Sequence, residues 1–211
     1  MPAAQVSTVI NLGSSTEEFH DHRPHVERFV FGPLKRRGAR IVNMDLKADP
    51  GVEIVGDIYD PAIQARARAV GATLLICGNI LEHITDPKGF ARACASLLPA
   101  NGQILVTVPH SYPYHTDPID TYFRPTPQEI ADLFEDFRLV DGRIVTDVSY
   151  LHDLRAENSM GGLARHFAVH AVKFFLPFRD GLDKWKARYH RYLWLFRPYK
   201  VSCALLSRRD R

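Results

Sequence analysis

Leu74-Leu75-Ile76-Cys77-Gly78-Asn79-Ile80-Leu81-Glu82-His83-Ile84-Thr85-Asp86-Pro87 decides how this chain is read. Thr73 to Cys77 is a continuous apolar run, the pattern of a strand covered on both faces. Asp86-Pro87 then opens a helix, with Asp86 as N-cap and Pro87 at the first helical position. Phe90, Cys94 and Leu97 form the buried stripe of that helix, and Pro99 and Gly102 close it. Gln103 to Val108 is the next strand.

The same alternation extends outward. Val6-Ser7-Thr8-Val9-Ile10-Asn11-Leu12 is short and β-branched, and it stops at Gly13, which predicts a buried first strand. Pro24, Val26, Phe29 and Val30 predict a helix that Gly32-Pro33 must break or kink and that Gly38 ends. Arg40–Asp45 and Val52–Val55 read as strands, and Pro61–Val70 as a helix. Thr126-Pro127-Gln128-Glu129 is a capping box, followed by a helical face of Ile130, Leu133, Phe134 and Phe137. Leu139–Val148 and Lys200–Leu206 read as the last two strands. Alternating strands and helices predict a doubly wound, mostly parallel α/β sheet with helices on both faces. Ligands of such sheets sit beyond the carboxyl ends of the strands.

The residues at those ends are therefore the candidates. Gly13 lets a backbone approach a ligand closely, or simply makes a turn. Asp45 can accept both hydroxyls of a ribose, or stand as a solvated turn aspartate. Asp57 can accept from an adenine amino group, or cap the turn into Ile58-Tyr59-Asp60. Their order at three consecutive strand ends is the stronger signal.

With these residues in place, Leu74 to Pro87 resembles the fourth-strand segment of class I S-adenosylmethionine-dependent methyltransferases of the type 11 kind, above all in Leu81-Glu82-His83 followed by Asp86-Pro87. Leu97-Leu98-Pro99-Ala100-Asn101-Gly102 resembles the segment before the family's fifth strand, and Asp117 to Pro127 a loop found in its glycan- and metabolite-modifying branch. The resemblance implies a seven-stranded Rossmann-like sheet with an antiparallel last strand, and S-adenosyl-L-methionine as cofactor. It implies that Gly13 and Ser14 face the methionine part of the cofactor and that Asp45 with Leu46 binds the ribose. Asp57 with Ile58 would bind the adenine, and Asn79, Ile80 and Leu81 would line the floor. The first loop, Gly13-Ser14-Ser15, carries one glycine where the family has two or three. The alternative to an enzyme is thus a non-catalytic relative that keeps the fold as a binding or scaffold module.

Methyl transfer is an in-line displacement, so the enzyme mainly aligns the nucleophile. A base is needed only for a nucleophile that holds its proton tightly. His110 and His115, just past the fifth strand, are the candidate bases, and Tyr114, Asp120, Tyr122 and Arg124 the candidate acceptor-binding residues. His83 is expected to bond a neighbouring loop. Asp120 and Arg124 are also read as a pair that fixes its own loop. His115, Asp117 and Asp120 are spaced closely enough to hold a divalent ion, but Pro118 interrupts the run and no cysteine assists, so no metal site is expected. No G-x-G-x-x-G follows the first strand and no G-x-S-x-G occurs, which excludes the nicotinamide and serine-hydrolase signatures.

The net charge of +3 is unevenly spread. Residues 1–161 carry 15 Lys/Arg against 21 Asp/Glu, and residues 162–211 carry 12 against 3. A nucleic-acid binder would be basic throughout, so none is expected as partner. Three cysteines without metal-ligand spacing and no signal peptide predict a cytoplasmic chain. A single domain over 1–211 is expected, with a basic, aromatic helical insertion at about 150–198. Leu163, Phe167, Ala171, Phe174 and Phe178 recur at near-helical spacing after Gly161-Gly162, and Pro177 limits them; Trp185 to Phe196 interleaves aromatics with cations. That insertion is read as a cap whose apolar face packs on the sheet or in a homo-oligomer. Its rival is a peripheral contact of residues 162–200 with an anionic membrane.

Overall fold

Burial is nearly continuous along the central strands, whose side chains divide between two cores. In the computed structural model, which describes residues 8–14, 24–115, 119–176 and 181–209, Val9 of β1 (Thr8–Leu12) packs with Leu74 and Ile76 of β4 (Leu74–Gly78). Ile10, Leu75 and Cys77 pack on the opposite face. Successive strand residues point to opposite faces, so both faces of this sheet are covered, as the apolar run at 73–77 predicts.

The remaining strands are β2 (Arg40–Asp45), β3 (Ile54–Val55), β5 (Gln103–Ser111), β6 (Phe137–Ser149) and β7 (Pro198–Arg208). They form one sheet in the order β3-β2-β1-β4-β5-β7-β6. β3 through β5 run parallel, and β7 lies antiparallel between β5 and β6. This is the Rossmann-like doubly wound sheet with an antiparallel last strand that the sequence predicts. β1 is described from Thr8, Val6 and Ser7 lying outside the described residues, and β3 is shorter than Val52–Val55.

Helix α1 runs from Pro24–Val26 through a π-helical stretch, Glu27–Phe31, to Gly32–Arg36. The break or kink expected at Gly32-Pro33 takes the form of this widened turn. Pro33 has no amide hydrogen to give the preceding turn, and Gly32 N–H reaches back five residues to Glu27 O. A Cβ on Gly32 would meet that oxygen at 2.8 Å. Helices α2 (Pro61–Ala69), α3 (Pro87–Ser96) and α4 (Pro127–Leu133) each begin with proline. Asp86 caps α3 by accepting from Gly89 N–H, and both halves of the Thr126–Glu129 capping box are made. One reading needs correction: α4 ends at Leu133, and Phe137 opens β6. Phe134 and Phe137 mimic the helical stripe because both are buried, their rings 6.1 Å apart across the turn.

Between β6 and β7 lie α5 (Tyr150–Glu157), α6 (Met160–Phe174), α7 (Leu182–His190) and a 3-10 turn, Arg191–Trp194. Gly161-Gly162 falls inside the first turn of α6, capped by Ser159, rather than before it. Pro177 and Phe178 lie outside the described residues. Tyr150, Leu154, Leu163, Trp194 and Tyr199 make a third apolar cluster here. Trp194 Nε1 donates to Ser111 Oγ at 3.0 Å, tying the helices to β5. Val172, Phe175, Leu193 and Phe196 remain exposed. No helix among the described residues is long and apolar enough to cross a membrane.

Candidate functional site

Four parallel strands, β3, β2, β1 and β4, end side by side, and the chain leaves each with an unusual residue. Gly13 leaves β1 at φ +66°, donating its amide to Met44 O at 2.8 Å. Ile80 fills the space where a Cβ on Gly13 would stand, 2.5 Å from its Cδ1. Ser14 is buried, and its Oγ has no hydrogen-bond partner among the described residues. Ser15 lies outside the described residues.

Asp45, half-buried at the end of β2, closes an Asx turn by accepting from Lys47 N–H at 2.9 Å, and Leu46 is exposed beside it. Asp57 makes the same turn with Tyr59 N–H at 2.9 Å and is exposed. Asn79 leaves β4 in the left-handed region, φ 53°, with its N–H on Thr107 O at 2.8 Å. The structure thus brings Gly13, Ser14, Asp45, Leu46, Asp57 and Asn79 to one edge of the sheet. Ile58 and Leu81 are core residues whose side chains point inward, so only their backbone faces this edge. Ile80 lies half-buried against the same core.

The segment after β5 supplies the second half. A register shift between Pro109 and Ser111 makes His110 the extra residue of a bulge, a device that re-aims a side chain. His110 Nδ1 lies 3.2 Å from both Pro125 O and Ser202 Oγ. Ser202 gives its own proton to Pro125 O at 2.6 Å, so its oxygen can accept. Both neighbours select the tautomer with hydrogen on Nδ1, which leaves Nε2 able to take a proton.

Asp120 anchors the loop. Its side chain is 0% exposed and accepts from both terminal nitrogens of Arg124, at 3.0 and 2.6 Å. It also accepts from the backbone of Tyr122 at 2.7 Å and His115 at 3.1 Å. Burial pushes this carboxyl up, but the Arg124 bonds and the two backbone N–H groups outweigh it and leave it below the ordinary aspartate range. With every lone pair engaged, Asp120 positions its neighbours and is no free acceptor for substrate. It holds Arg124 over the exposed Tyr122 ring, 4.7 Å from its centroid. Asp117 lies outside the described residues.

Sequence reading missed two participants. His190, at the end of α7, accepts from the Tyr114 amide at Nδ1, 3.0 Å away, and lies edge-on to Tyr122. Nothing local marks it, because the contact spans residues far apart in sequence. Glu82 lies inside the motif but carried no reading of its own; it is 1% exposed. Thr121 donates to its backbone carbonyl, and His83 Nδ1 bonds Ile119 O, so the Leu-Glu-His turn holds the loop as expected of His83. Two grooves, about 510 and 270 Å³, lie away from this edge, against α3, α4 and the start of β6.

No protein-family model matches the chain, and no curated protein matches it. Solved structures do. Coclaurine N-methyltransferase bound to N-methylheliamine and S-adenosylhomocysteine superposes with a TM-score of 0.51 at 11% identity, covering 98% of this chain and 68% of that one. A SAM-dependent methyltransferase from Archaeoglobus fulgidus gives 0.48 at 13% identity, over 96% and 86% of the chains. A [4+2]-cyclase, SpnF, gives 0.47 at 11% identity, over 96% and 75%. The fold is that of the class I S-adenosylmethionine-dependent methyltransferases.

Proposed function

We propose that this protein is an S-adenosylmethionine-dependent methyltransferase acting on a small-molecule or glycan-like acceptor, at oxygen. One observation carries the reading: Gly13, Asp45, Asp57 and Asn79 stand in order at the carboxyl ends of four adjacent parallel strands. The residues fit the cofactor. Gly13 presents backbone without a side chain, and the buried Ser14 hydroxyl beside it has no partner among the described residues, where a polar ligand could supply one. Gly13 and Ser14 would hold the amino-acid part, Asp45 with Leu46 the ribose, Asp57 and the Ile58 backbone the adenine, and Asn79 with Ile80 and the Leu81 backbone the floor. When bound, the cofactor supplies an electrophilic methyl group on a positive sulfur.

The chain's own work is alignment and proton removal. Tyr114, Tyr122 and Arg124 form the acceptor wall, with Asp120 fixing the guanidinium. His110 is the better base of the two histidines, since Pro125 and Ser202 hold its Nδ1 hydrogen and leave Nε2 as the nitrogen open to accept a proton. His115 is the second candidate.

Calorimetric titration with S-adenosylhomocysteine tests the reading. Binding is expected, and Asp45→Ala should weaken it by about 1–3 kcal/mol, the loss of a charge-assisted hydrogen bond. No heat at millimolar ligand would reject the enzyme. The single-glycine first loop would then favour the scaffold reading.

A further inference from the structure

Glu82, His83 and His115 converge from two segments that the sheet brings together, and each offers a ligand atom within 4.8 Å of the others. Glu82 and His83 belong to the 3-10 turn Leu81–His83 after β4. His115 comes from the loop after β5. From this convergence we infer a binding site for one divalent transition-metal cation of the zinc class, held by Glu82, His83 and His115. The inference is independent of the cofactor reading, since it concerns the metal alone.

Three features point to a cation rather than a packed polar cluster. First, Glu82 is 1% exposed, yet its Oε2 has no hydrogen-bond partner among the described residues. A buried carboxyl oxygen without a donor is costly in any protonation state that leaves it bare. A cation satisfies it directly.

Second, His83 is oriented as metal-binding histidines are. Its Nδ1 bonds the Ile119 carbonyl and must carry the hydrogen there. Nε2 is therefore the bare nitrogen, and it faces Glu82 Oε1 at 3.8 Å. A carbonyl that fixes the tautomer of a ligand from behind is a recurrent support for metal sites.

Third, His115 stands edge-on to His83, ring centroids 5.2 Å apart, with the Asp120 carboxylate 3.2 Å from its Nδ1. That nitrogen is itself buried without an aligned hydrogen bond among the described residues. The neighbouring positive charge, Arg124, is neutralised by its two bonds to Asp120.

Two imidazoles and one carboxylate are a donor set that suits zinc and related ions and leaves positions open for water or substrate. Bonds of about 2.1 Å would place ligand atoms about 3.4 Å apart in a tetrahedron. Shifts of about an ångström would bring the three groups to that spacing. From sequence no metal site is expected, with His115, Asp117 and Asp120 considered and set aside, and Asp120 is indeed occupied by Arg124 and backbone N–H groups.

The test uses the full chain after chelator treatment, titrated with Co²⁺ and followed by its visible ligand-field absorption, with Zn²⁺ as competitor. One Co²⁺ per chain, displaced by Zn²⁺, is expected. Glu82→Gln nearly preserves shape, so it keeps the fold even if His83→Asn does not. Glu82→Gln and His115→Asn should each weaken binding at least about tenfold, with circular dichroism unchanged. Asp132→Asn, on the exposed face of α4, should leave binding as it was. The inference is overturned if the wild type takes up no Co²⁺ at millimolar concentration. It is equally overturned if both variants bind as tightly as the wild type, which would place the metal on surface histidines.

Discussion

Gly13→Ala probes the junction where the first strand meets the floor of the site. Two costs can be worked from the geometry. The backbone at φ +66° is one an L-residue adopts at about 1–2 kcal/mol. The new methyl would also lie 2.5 Å from Ile80 Cδ1 and 2.9 Å from Cγ1, so Ile80 must swing aside. Overpacking of this kind costs about 1–3 kcal/mol. Ile80 is only half-buried and its far end is flexible, which favours the lower figure. The total expected is about 2–4 kcal/mol, read from urea unfolding followed by circular dichroism. The two terms separate in an Ile80→Ala background, where the obstruction is gone and only the backbone cost remains. The same glycine substitution should then cost about 1–2 kcal/mol, a coupling of about 1 kcal/mol or more between the sites. A loss below about 0.5 kcal/mol, or the same loss in both backgrounds, would refute the account of this turn.

Further outcomes follow from the other clusters. Arg124→Met strips Asp120 of its ion-pair partner while leaving the carboxylate buried, and should cost about 3–5 kcal/mol in thermal or chemical unfolding; adding Asp120→Asn should recover part of it. His166, half-buried on α6 with Tyr192 OH 3.1 Å from its Nε2 and His170 stacked at 4.1 Å, is held below the ordinary histidine value by burial and then by His170. The unfolded chain therefore takes up this proton first. The stabilisation is complete above about pH 6.5 and is lost as pH falls through the lower folded value; His166→Asn should flatten the fall in Tm below pH 6.5. Val172, Phe175 and Phe196 are exposed, as are Lys184 and Lys186, and these would carry the membrane contact of residues 162–200 that rivals the cap reading. The cap reading expects no flotation with anionic vesicles at low salt; binding that fades as salt screens the charges would refute it in favour of the membrane contact.

Much of the fold was legible because its signals are local. Asp86 and Thr126 cap their helices with their own side chains, and a proline follows each within the same few residues. The apolar run at 73–77 needed no knowledge of its neighbours. The candidate cofactor edge was legible for a similar reason, since a parallel strand always delivers its last residue to the same side. The acceptor half was not. His190 meets Tyr114, and Ser202 meets His110, only because β7 returns between β5 and β6. Burial alone also misled: Phe137 has the spacing of a helix stripe but opens a strand, because burial does not distinguish the two at a helix end. Glu82 was visible as a letter in a motif, but the bare Oε2 it buries among the described residues is a fact of three-dimensional packing.

The placement of β7 also sets the order in which the chain can finish. β5 ends at Ser111, but the strand that covers its outer edge begins only at Pro198. β6, made earlier, bonds β7 and not β5. During synthesis at about 5–20 residues per second, β5 therefore waits on the order of 5–20 s with a row of unpaired amides and carbonyls facing outward. Such an edge is a template for pairing with another chain. The helices between β6 and β7 emerge during that interval and cannot protect it, since their tie to Ser111 is made by Trp194, almost the last residue before the strand arrives. Newly made chains should thus depend on chaperones, or on low concentration, more than the finished fold does.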